Sequence, residues 1–420
     1  MPPARRVIVA LAASAALVAS AVPALGARIL PPGDRYGDAA VDLSTDGRAA
    51  VAYERLRPGP DLIRVAIRRA DRLDRPTAGR GIGRGDLALV RVGGVAGGPH
   101  LVAWARRGEL RVSVLSRGAW RVERLPPEVR SLTALSAAIA GSRVVLVVGD
   151  ATGAVALVRT GANRWIARPL PAGPARSALV ARASEPSGRV VAAWTEAGVA
   201  GPSVAASSFD PGTLRWTPPT TLAAAGTVPS PVVDDLYLNG RGDAALTVVT
   251  AGDFPGAGLP GVPVRYLPAL SSAWTPLPDA PAASSRPGAL EVAVTPGGTP
   301  VYARLAAGVR VAAVTGAAWG AEERALAEPG GPDAGDLSEV DDLAVAAGGR
   351  MVASVAVDPG PGPDDHVFLV RSPVDGTWRT SRAFASLHGP PELIVGGRRV
   401  AASWVQDASL SGLPEAALSP

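Results

Sequence analysis

Two short phrases alternate strictly along the chain, and this repetition constrains the fold more than any other feature. The first is a glycine turn before an apolar run, as in "SGRVVAAWTEA" at 187–197. The second is a Trp after a small polar turn, as in "TLRWTPPTTL" at 213–222. The first phrase returns near positions 47, 97, 141, 240, 297, 348 and 396, and the second around Trp120, Trp165, Trp274, Trp319 and Trp378. A period of roughly 45–60 residues indicates a repeat architecture built from one small supersecondary unit.

Each unit contains four strand-like runs. In the unit at 177–222 they are "SALVARAS", "RVVAAWTE", "SVAASSF" and "WTPPTTL". Short runs bounded by Gly, Pro, Asp and Ser turns predict a four-stranded antiparallel sheet. The second run is apolar on both faces, which predicts a sheet covered on both sides by its neighbours. The fourth run is rich in Pro, which is tolerated on an edge strand. Together these features predict an all-β propeller with the fourth strands on its rim.

Seven complete units are followed by an incomplete eighth. The first strands begin near residues 39, 86, 131, 177, 232, 289 and 340. In the eighth unit, "ELIVG", "RRVAASWVQ" and "EAALS" (415–419) supply three strands, and "ARILPPGD" (27–34) supplies the fourth because it resembles "VERLPPEV" (122–129). Pairing of the N-terminal strand with the C-terminal blade closes the ring and removes its open edges. We therefore predict eight blades; seven blades, paired β-sandwiches or two smaller propellers are the alternatives.

The N-terminus has the pattern of a secretory signal peptide. Arg5 and Arg6 precede an apolar segment at 7–22, and small residues at 24–27 offer a cleavage site. We expect residues 1–27 to be removed and residues 28–420 to form a single propeller domain, which predicts a secreted protein at the exterior of the cell or its envelope. No other apolar run reaches the ~18–20 residues of a membrane span. The chain has no Cys and therefore no disulfide framework.

The net charge of +5 is a weak electrostatic footprint for nucleic acid, although every basic residue of the chain is Arg. We expect no nucleic-acid partner. Export favours an extracellular protein or a glycan as the partner, and we interpret the chain as a monomer.

Two stretches resemble known repeats. "SFDPGTLRW" (208–216) resembles the Asp-box, S-x-D-x-G-x-x-W, of sialidase-type propellers with one extra residue before Trp216, and "SPVDGTW" (372–378) is a shorter version. "AVDLSTDGRAAVAYERL" (40–56) is similar to the units of secreted repeat proteins of GC-rich bacteria. The resemblance implies a propeller in which the carboxylate of the box ties down a turn and the aromatic ring packs between blades. It implies no activity, because a fold does not transfer function.

A charged residue ends nearly every second strand, and these residues are the candidate site. They are Glu54, Arg106, Asp150, Glu196, Asp253, Arg304, Asp358 and Asp407. If the units superpose, they ring one mouth of the central channel, on the face with the longest connections, where binding tends to reside. Solvation of strand ends is the alternative explanation. The predicted function is a non-catalytic propeller that binds a protein, glycan or cation on this face. No cofactor is expected, and Ca²⁺ is the cation that such carboxylates would suit.

The alternative function is a sialidase-like glycoside hydrolase or lyase that uses the same carboxylates. A glycosidase needs two carboxyl groups at about 5–9.5 Å. The one adjacent Tyr–Glu pair, Tyr53 and Glu54, places its side chains on opposite faces of a strand. The three His residues share no zinc-ligand spacing, and no phosphate loop or hydrolase elbow is present.

Overall fold

In the residues that it describes, the computed structural model contains eight antiparallel sheets formed by 35 strands. It describes residues 5–12, 27–28, 36–44, 48–55, 62–69, 80–93, 98–106, 109–116, 118–127, 134–140, 142–150, 153–171, 176–184, 187–224, 226, 230–250, 261–281, 290–306, 308–327, 336–346, 348–358, 365–380, 384–385, 392–396 and 399–407. Within these ranges no helix has the length and apolar character of a membrane span.

The first strands of the eight blades stand side by side around a central axis. They are β3 (Tyr36–Leu43), β7 (Asp86–Val92), β11 (Ala134–Ala140), β15 (Arg176–Ala183), β20 (Pro231–Leu238), β24 (Leu290–Val294), β29 (Asp336–Val345) and β34 (Glu392–Gly396). Each contacts the next, and β34 contacts β3, so the ring closes. This arrangement confirms the predicted all-β propeller.

The second strand of each blade pairs with its first. The second strands are β4 (Arg48–Arg55), β8 (His100–Arg106), β12 (Arg143–Asp150), β16 (Val190–Glu196), β21 (Ala244–Thr250), β25 (Pro300–Leu305), β30 (Met351–Asp358) and β35 (Arg399–Asp407). In blade 4, alternate residues of β16 pack in opposite directions: Trp194 packs against Val147 of blade 3, and Ala193 packs against Leu246 of blade 5. The apolar second strand is therefore covered on both faces, as the sequence predicts.

The third and fourth strands complete each blade toward the rim. The third strands of blades 1 to 7 are β5 (Leu62–Arg69), β9 (Glu109–Ser116), β13 (Gly153–Gly161), β17 (Ser203–Asp210), β22 (Val264–Leu267), β26 (Gly308–Thr315) and β31 (Asp365–Arg371). The outer strands are β6 (Arg80–Arg84), β10 (Ala119–Glu123), β14 (Arg164–Pro169), β18 (Arg215–Trp216), β19 (Thr220–Ala223), β23 (Thr275–Pro276), β27 (Ala318–Trp319), β28 (Glu323–Ala327), β32 (Trp378–Thr380) and β33 (Phe384–Ala385). In blades 4, 6 and 7 the outer position is shared by two short pieces that pair with the same third strand.

The eighth blade joins the two ends of the chain. Its order is β34, β35, β1 (Arg5–Ala12) and β2 (Ala27–Arg28). The predicted closure by the N-terminus is confirmed, but the third position is filled by β1, which lies inside the predicted signal peptide, instead of by residues 415–419. Those residues, and 29–34 of the predicted fourth strand, lie outside the described ranges. Cleavage after residue 27 stays a prediction.

The Trp residues of the outer strands join neighbouring blades. The indole Nε1 of Trp165 donates to Glu123 Oε2 at 3.0 Å, and Glu123 belongs to the outer strand of the preceding blade. The indole of Trp216 likewise donates to the Arg168 carbonyl at 2.8 Å. Trp319 repeats the contact with the Pro278 carbonyl of the preceding blade at 2.8 Å. The recurrent Trp is therefore part of the inter-blade packing.

The Arg residue of the recurrent glycine turn contacts the following blade, whereas the Trp contacts the preceding one. Arg189, at the turn between the first and second strands of blade 4, donates to the carbonyls of Pro268, Ala269 and Ser271 of blade 5 at 3.0, 2.6 and 2.6 Å. Arg143, at the matching turn of blade 3, donates to the Pro211 carbonyl of blade 4 at 3.1 Å. All four acceptor carbonyls lie in the connection between the third and outer strands of the next blade.

Candidate functional site in the central channel

The predicted mouth residues that the structure describes lie at one end of the second strands. Arg106, Asp150, Glu196, Asp358 and Asp407 are terminal residues of β8, β12, β16, β30 and β35, and Glu54 and Arg304 are penultimate in β4 and β25. Asp253 lies outside the described residues, as do the side chains of Asp150, Asp358 and Asp407. Seven of the predicted residues therefore lie at corresponding ends of second strands, and their arrangement around a channel mouth stays a prediction. Their role in binding stays a prediction.

Three of these residues make contacts within their own blade or with the next one. The Leu87 backbone N–H of blade 2 donates to the buried Glu54 carboxylate. Glu196 Oε1 accepts from the indole of Trp194 at 2.8 Å. Arg304 Nε donates to Glu322 Oε1 at 2.6 Å. These side chains stabilise blade ends, while Arg106 is exposed.

The central cavity has a volume of about 860 Å³ and is lined by residues of seven first strands. It also reaches the turns at one end of the channel, where Asn239, Arg241 and Leu270 contribute to the lining. This is the end with the tight turns. The opposite end carries connections that lie mostly outside the described residues, including 251–260, 328–335 and 359–364.

Three carboxylates occupy the same register on three adjacent first strands. The turn after each of these strands is bridged by a backbone hydrogen bond, donated by Asn239, Thr295 and Ala346 respectively. Asp235 of β20, Glu291 of β24 and Asp342 of β29 each lie four residues before that donor. Asp235 and Asp342 line the cavity, and Glu291 lies between them and hydrogen-bonds Asp235. We call these three residues the carboxylate arc.

A repeated tetrapeptide positions two members of the arc. Val-Asp-Asp-Leu occurs at 233–236 and again at 340–343, and each copy contains a bulge in its pairing with the second strand. A bulge re-aims successive side chains. As a result, Asp341 faces away from the axis and accepts hydrogen bonds from Ser354 Oγ and His366 Nδ1, each at 2.8 Å, while the neighbouring Asp342 lines the cavity.

The electrostatics of the arc disfavour three simultaneous negative charges. Burial, followed by the charges of Asp235, Asp342 and Asp234, raises the pKa of Glu291 well above its ordinary value. Burial and the charge of Asp235 raise the pKa of Asp234 to about 7. Carboxylates crowded together at low solvent exposure retain protons that isolated ones would lose.

Tyr237 lies beside the arc, two residues after Asp235 on the same strand. Burial, with the charges of Asp342 and Asp235, raises the pKa of its hydroxyl above the ordinary value, while the backbone of Val345 hydrogen-bonds to it. Tyr237 therefore stays protonated and offers a neutral hydroxyl next to the carboxylates.

Basic side chains lie on other blades around the cavity. Arg182 of β15 approaches Asp235 Oδ1 at 4.0 Å, and Arg91 of β7 approaches Asp42 Oδ1 at 3.7 Å. Two carboxylates also hold neighbouring first strands together: Asp42 Oδ2 accepts from the Val92 N–H at 2.6 Å, and Asp342 Oδ2 accepts from the Leu393 N–H at 2.7 Å. The cavity lining therefore combines the carboxylates of Asp42, Asp235 and Asp342 with the guanidinium groups of three Arg residues, Arg91, Arg182 and Arg241.

A second polar cluster lies in blade 6, outside the cavity lining. Tyr302 Oη donates to Glu322 Oε1 at 2.7 Å, and Arg304 binds both oxygens of the same carboxylate. Hydrogen bonds from Arg304 are the main reason that the pKa of Glu322 is lowered. A buried Tyr that donates to an Arg-bound carboxylate is not activated as a nucleophile.

The described residues include no group of three or more His, Cys, Asp or Glu placed to hold a metal ion. The expected Ca²⁺ binding by the strand-end carboxylates stays a prediction. The pattern of charged strand ends does not predict the arc, because its members lie within first strands. A signal was present, since Glu291 and the Asp pairs interrupt first strands that are otherwise mostly apolar.

Comparison with known proteins gives likenesses of fold. No family model matches the sequence, and no curated relative matches it. Among solved structures, the chain is similar to the Dos1 propeller, with a TM-score of 0.48 at 10% identity over 89% of this chain and 93% of that one. It is also similar to a prolyl endopeptidase, with a TM-score of 0.45 at 15% identity over 84% of this chain, which spans 49% of the length of that enzyme. A third is the Aleuria aurantia lectin, with a TM-score of 0.39 at 14% identity over 82% and 94% of the two chains.

The turn that resembles an Asp-box is held by its own carboxylate. Asp210 Oδ1 accepts from the Gly212 N–H at 2.7 Å, and Asp210 Oδ2 accepts from Thr213 Oγ1 at 2.9 Å. The rings of Phe209 and Trp216 are 5.3 Å apart. The turn is thus stabilised locally, and the resemblance to sialidase-type repeats rests on sequence alone.

Proposed function

We propose that the chain is an exported, non-catalytic binding propeller that takes a cationic group of its ligand into the central cavity. The group is an ammonium or guanidinium, such as a basic side chain of a protein or an amino group of a glycan. The observation that carries this proposal is the carboxylate arc, in which Asp235 and Asp342 line the cavity on either side of Glu291.

A cation would relieve the repulsion within the arc. The charges that raise the pKa of Glu291 are all negative, and the one cationic contact described for the arc is the 4.0 Å approach of Arg182 to Asp235. Charge-assisted hydrogen bonds to carboxylates are about twice as strong as neutral ones. A bound ammonium group would therefore replace shared protons as the compensating charge.

The cavity is large enough for more than the charged group. Its volume of about 860 Å³ lies in the range of small-molecule sites, about 300–1,000 Å³. The half-buried apolar side chains of Leu238 and Leu393 also line it. These surfaces would contact an aliphatic stem while the arc binds the charge, which suits a Lys or Arg side chain or a short diamine.

The geometry of the arc gives no support to the glycosidase alternative. Asp235 and Glu291 hydrogen-bond each other directly, whereas retaining and inverting glycosidases separate their carboxyl groups by about 5–9.5 Å.

Titration calorimetry tests the proposal with linear diamines and alkylguanidinium ions as probes, and with diols of the same length as neutral controls. We expect the cations to bind and the diols not to bind. Glu291→Gln and Asp342→Asn should each weaken cation binding about tenfold to a hundredfold, the loss of one charge-assisted hydrogen bond. Binding should also release protons, because a cation favours the ionised arc.

Glu109→Gln is the matched control, since it removes one negative charge from an exposed side chain on the third strand of blade 2. Its cation affinity should equal that of the wild type. Equal binding of diamines and diols, or an equal loss of affinity in Glu109→Gln and Glu291→Gln, would contradict the proposal.

A further inference from the structure

The central cavity runs along the channel from the carboxylate arc to the end with the tight turns. On blade 5 its lining is continuous from Asp235 to Arg241, which takes it from the first strand into the turn that follows. The described residues of this strand on the other side of the arc, 231–234, do not line it. Leu270, in a connection at the tight-turn end, lines the cavity and is fully exposed. The cavity therefore opens to solvent at that end, and the arc lies at its inner end.

The sign of the charge changes along this path. Arg182 lies two residues before the donor of the turn hydrogen bond in blade 4, and Arg241 lies within the turn of blade 5, so both are nearer the opening than the arc is. Asp42 lies at the level of Arg182, but it faces Arg91 at 3.7 Å and accepts a backbone hydrogen bond at 2.6 Å. A ligand with a cation at its leading end and an anion at its trailing end matches this order of charges.

Arg241 has donors for an anion at the opening. Its Nη1 donates to the Gly297 carbonyl at 2.8 Å, and its Nε lies 3.6 Å from Asp243 Oδ2. The side chain is 55% exposed. A guanidinium carries five N–H donors, more than these two contacts use, and its planar shape matches a carboxylate. The carboxylate of a ligand can therefore bind here without displacing the contacts within the fold.

The separation between the arc and the opening sets the length of the ligand. Asp235 lies four residues before Asn239, the donor of the turn hydrogen bond. A strand rises about 3.3 Å per residue, which places the arc about 13 Å from the turn. An extended peptide of three or four residues spans about 10–14 Å. Its α-amino group is cationic at neutral pH. The spacing therefore matches the two charged ends of a tripeptide or tetrapeptide.

Apolar side chains of three blades line the path between these charges. They are Leu238 on blade 5, Pro296 on blade 6, and Leu393 and Val395 on blade 8, all of them half-buried. An alkyl chain with the same end charges has no side chains and would contact one wall of the cavity. The side chains of a peptide would contact several walls and bury more apolar surface, which favours a peptide as the occupant.

We propose that the ligand of the channel is a short peptide with free ends, three or four residues long. It enters at the tight-turn end with its amino terminus first, so that its α-ammonium binds the carboxylate arc and its α-carboxylate binds Arg241. This proposal rests on the proposed function, because the arc is its cation site, and adds the class, the orientation and the entrance of the ligand.

Titration calorimetry at pH 7 tests the two ends with the peptide Ala-Leu-Leu-Ala in its free, N-acetylated and C-amidated forms. We expect acetylation to weaken binding at least a hundredfold and amidation to weaken it about tenfold, since each removes a charge-assisted hydrogen bond. Arg241→Gln should bind the free and amidated forms equally. Arg215→Gln, which changes an exposed Arg on the outer strand of blade 4, is the matched control and should keep the tenfold difference.

The outcomes separate this proposal from the proposed function. If the free and amidated forms bind the wild type equally while the acetylated form does not bind, the arc binds cations but the peptide orientation is wrong. If 11-aminoundecanoate, an amino acid of matched length without side chains, binds as tightly as the peptide, the assignment to peptides is wrong. Equal binding of the acetylated and free forms would overturn both proposals.

Blocking the opening tests the entrance, because the chain has no Cys of its own and a single thiol can be labelled. Leu270→Cys, modified with a bulky maleimide, should slow association of the peptide at least tenfold in stopped-flow measurements. Val199→Cys is the matched control, since Val199 is also fully exposed but lies in the connection between the second and third strands of blade 4, at the other end of the blades. Unchanged association after labelling at 270, or slower association after labelling at 199 alone, would overturn the proposed entrance.

Discussion

At the scale of single residues, adjacent and identical side chains acquire different roles because a bulge lies between them. Asp341 is fully buried and bound to Ser354 and His366, whereas Asp342 reaches the cavity and the N–H of Leu393. The sequence shows two Asp in a row but not which one faces the axis. That choice depends on where the strand pairing is interrupted, and the interruption depends on the partner strand.

The arc should make stability depend on pH. The folded protein retains the proton of Glu291 to a higher pH than the unfolded chain does, because its pKa is raised in the fold. This contribution is therefore complete below about pH 4 and is lost as the pH rises through the raised pKa. Asp234, with a pKa raised to about 7, acts in the same direction.

Glu291→Gln removes one of these titrations. We expect its unfolding free energy to fall less steeply between pH 4 and pH 8 than that of the wild type, and its stability to exceed the wild type's at pH 8. Urea unfolding at pH 4, 6 and 8 measures both curves. Glu109→Gln should follow the wild-type curve because its carboxylate is exposed, and parallel curves for Glu291→Gln and wild type would disprove the assignment.

At the scale of elements, the sequence predicts the strands well where their pattern is contained within one repeat unit. The repeat places four strands in each of seven units, and the apolar second run correctly indicates sheets covered on both faces. The division of the outer position into β27 and β28, for example, does not follow from the repeat. It depends on how the chain turns at Gly320, whose N–H binds the Ala313 carbonyl at 2.8 Å.

The Arg residue of the glycine turn contributes to the contacts between blades. The guanidinium of Arg189 donates to four carbonyl oxygens, three in the connection at 268–271 and one on Gly242. Burial lowers its pKa. Loss of such a donor leaves several carbonyl groups unpaired, and each unsatisfied buried group costs about 1–3 kcal/mol.

We therefore expect Arg189→Ala to destabilise the fold by about 2–5 kcal/mol, measured by chemical unfolding. Arg189→Lys should recover little of that loss, because an ammonium group cannot reproduce the planar set of donors. Arg215→Ala, which removes an exposed Arg on blade 4, is the control and should change stability by less than about 0.5 kcal/mol. Full recovery by Lys would mean that charge alone matters at this turn.

At the scale of the whole molecule, the sequence predicts a closed ring but misassigns one of the strands that close it. The ends of the chain do meet in blade 8, as the incomplete last unit indicates. The identity of the third strand could not be read from the repeat, because β1 shares composition with signal peptides and lacks the landmarks of the other units. The sequence also predicts a central channel. It does not reveal the carboxylate arc, because the arc forms only when three adjacent blades are in register.

Ring closure has a consequence for cooperativity. In an open array a terminal repeat can unfold at the cost of one interface, whereas in a closed ring every blade has two. Phe368 packs in the cluster between blades 7 and 8, and Trp194 packs in the cluster between blades 3 and 4. Both side chains are almost fully buried. Truncation of either should therefore weaken the same global unfolding transition, although the two clusters lie in different parts of the ring.

We expect Phe368→Ala and Trp194→Ala each to destabilise the protein by about 3–5 kcal/mol and to lower the temperature of one shared transition. Scanning calorimetry checks this by comparing the calorimetric with the van't Hoff enthalpy, which agree when unfolding is all-or-none. Leu270→Ala, which truncates a fully exposed side chain, is the control and should leave the transition unchanged. If Phe368→Ala instead splits off a separate low-temperature transition while Trp194→Ala does not, blade 8 unfolds by itself and the ring is held closed only weakly at the junction of the two chain ends.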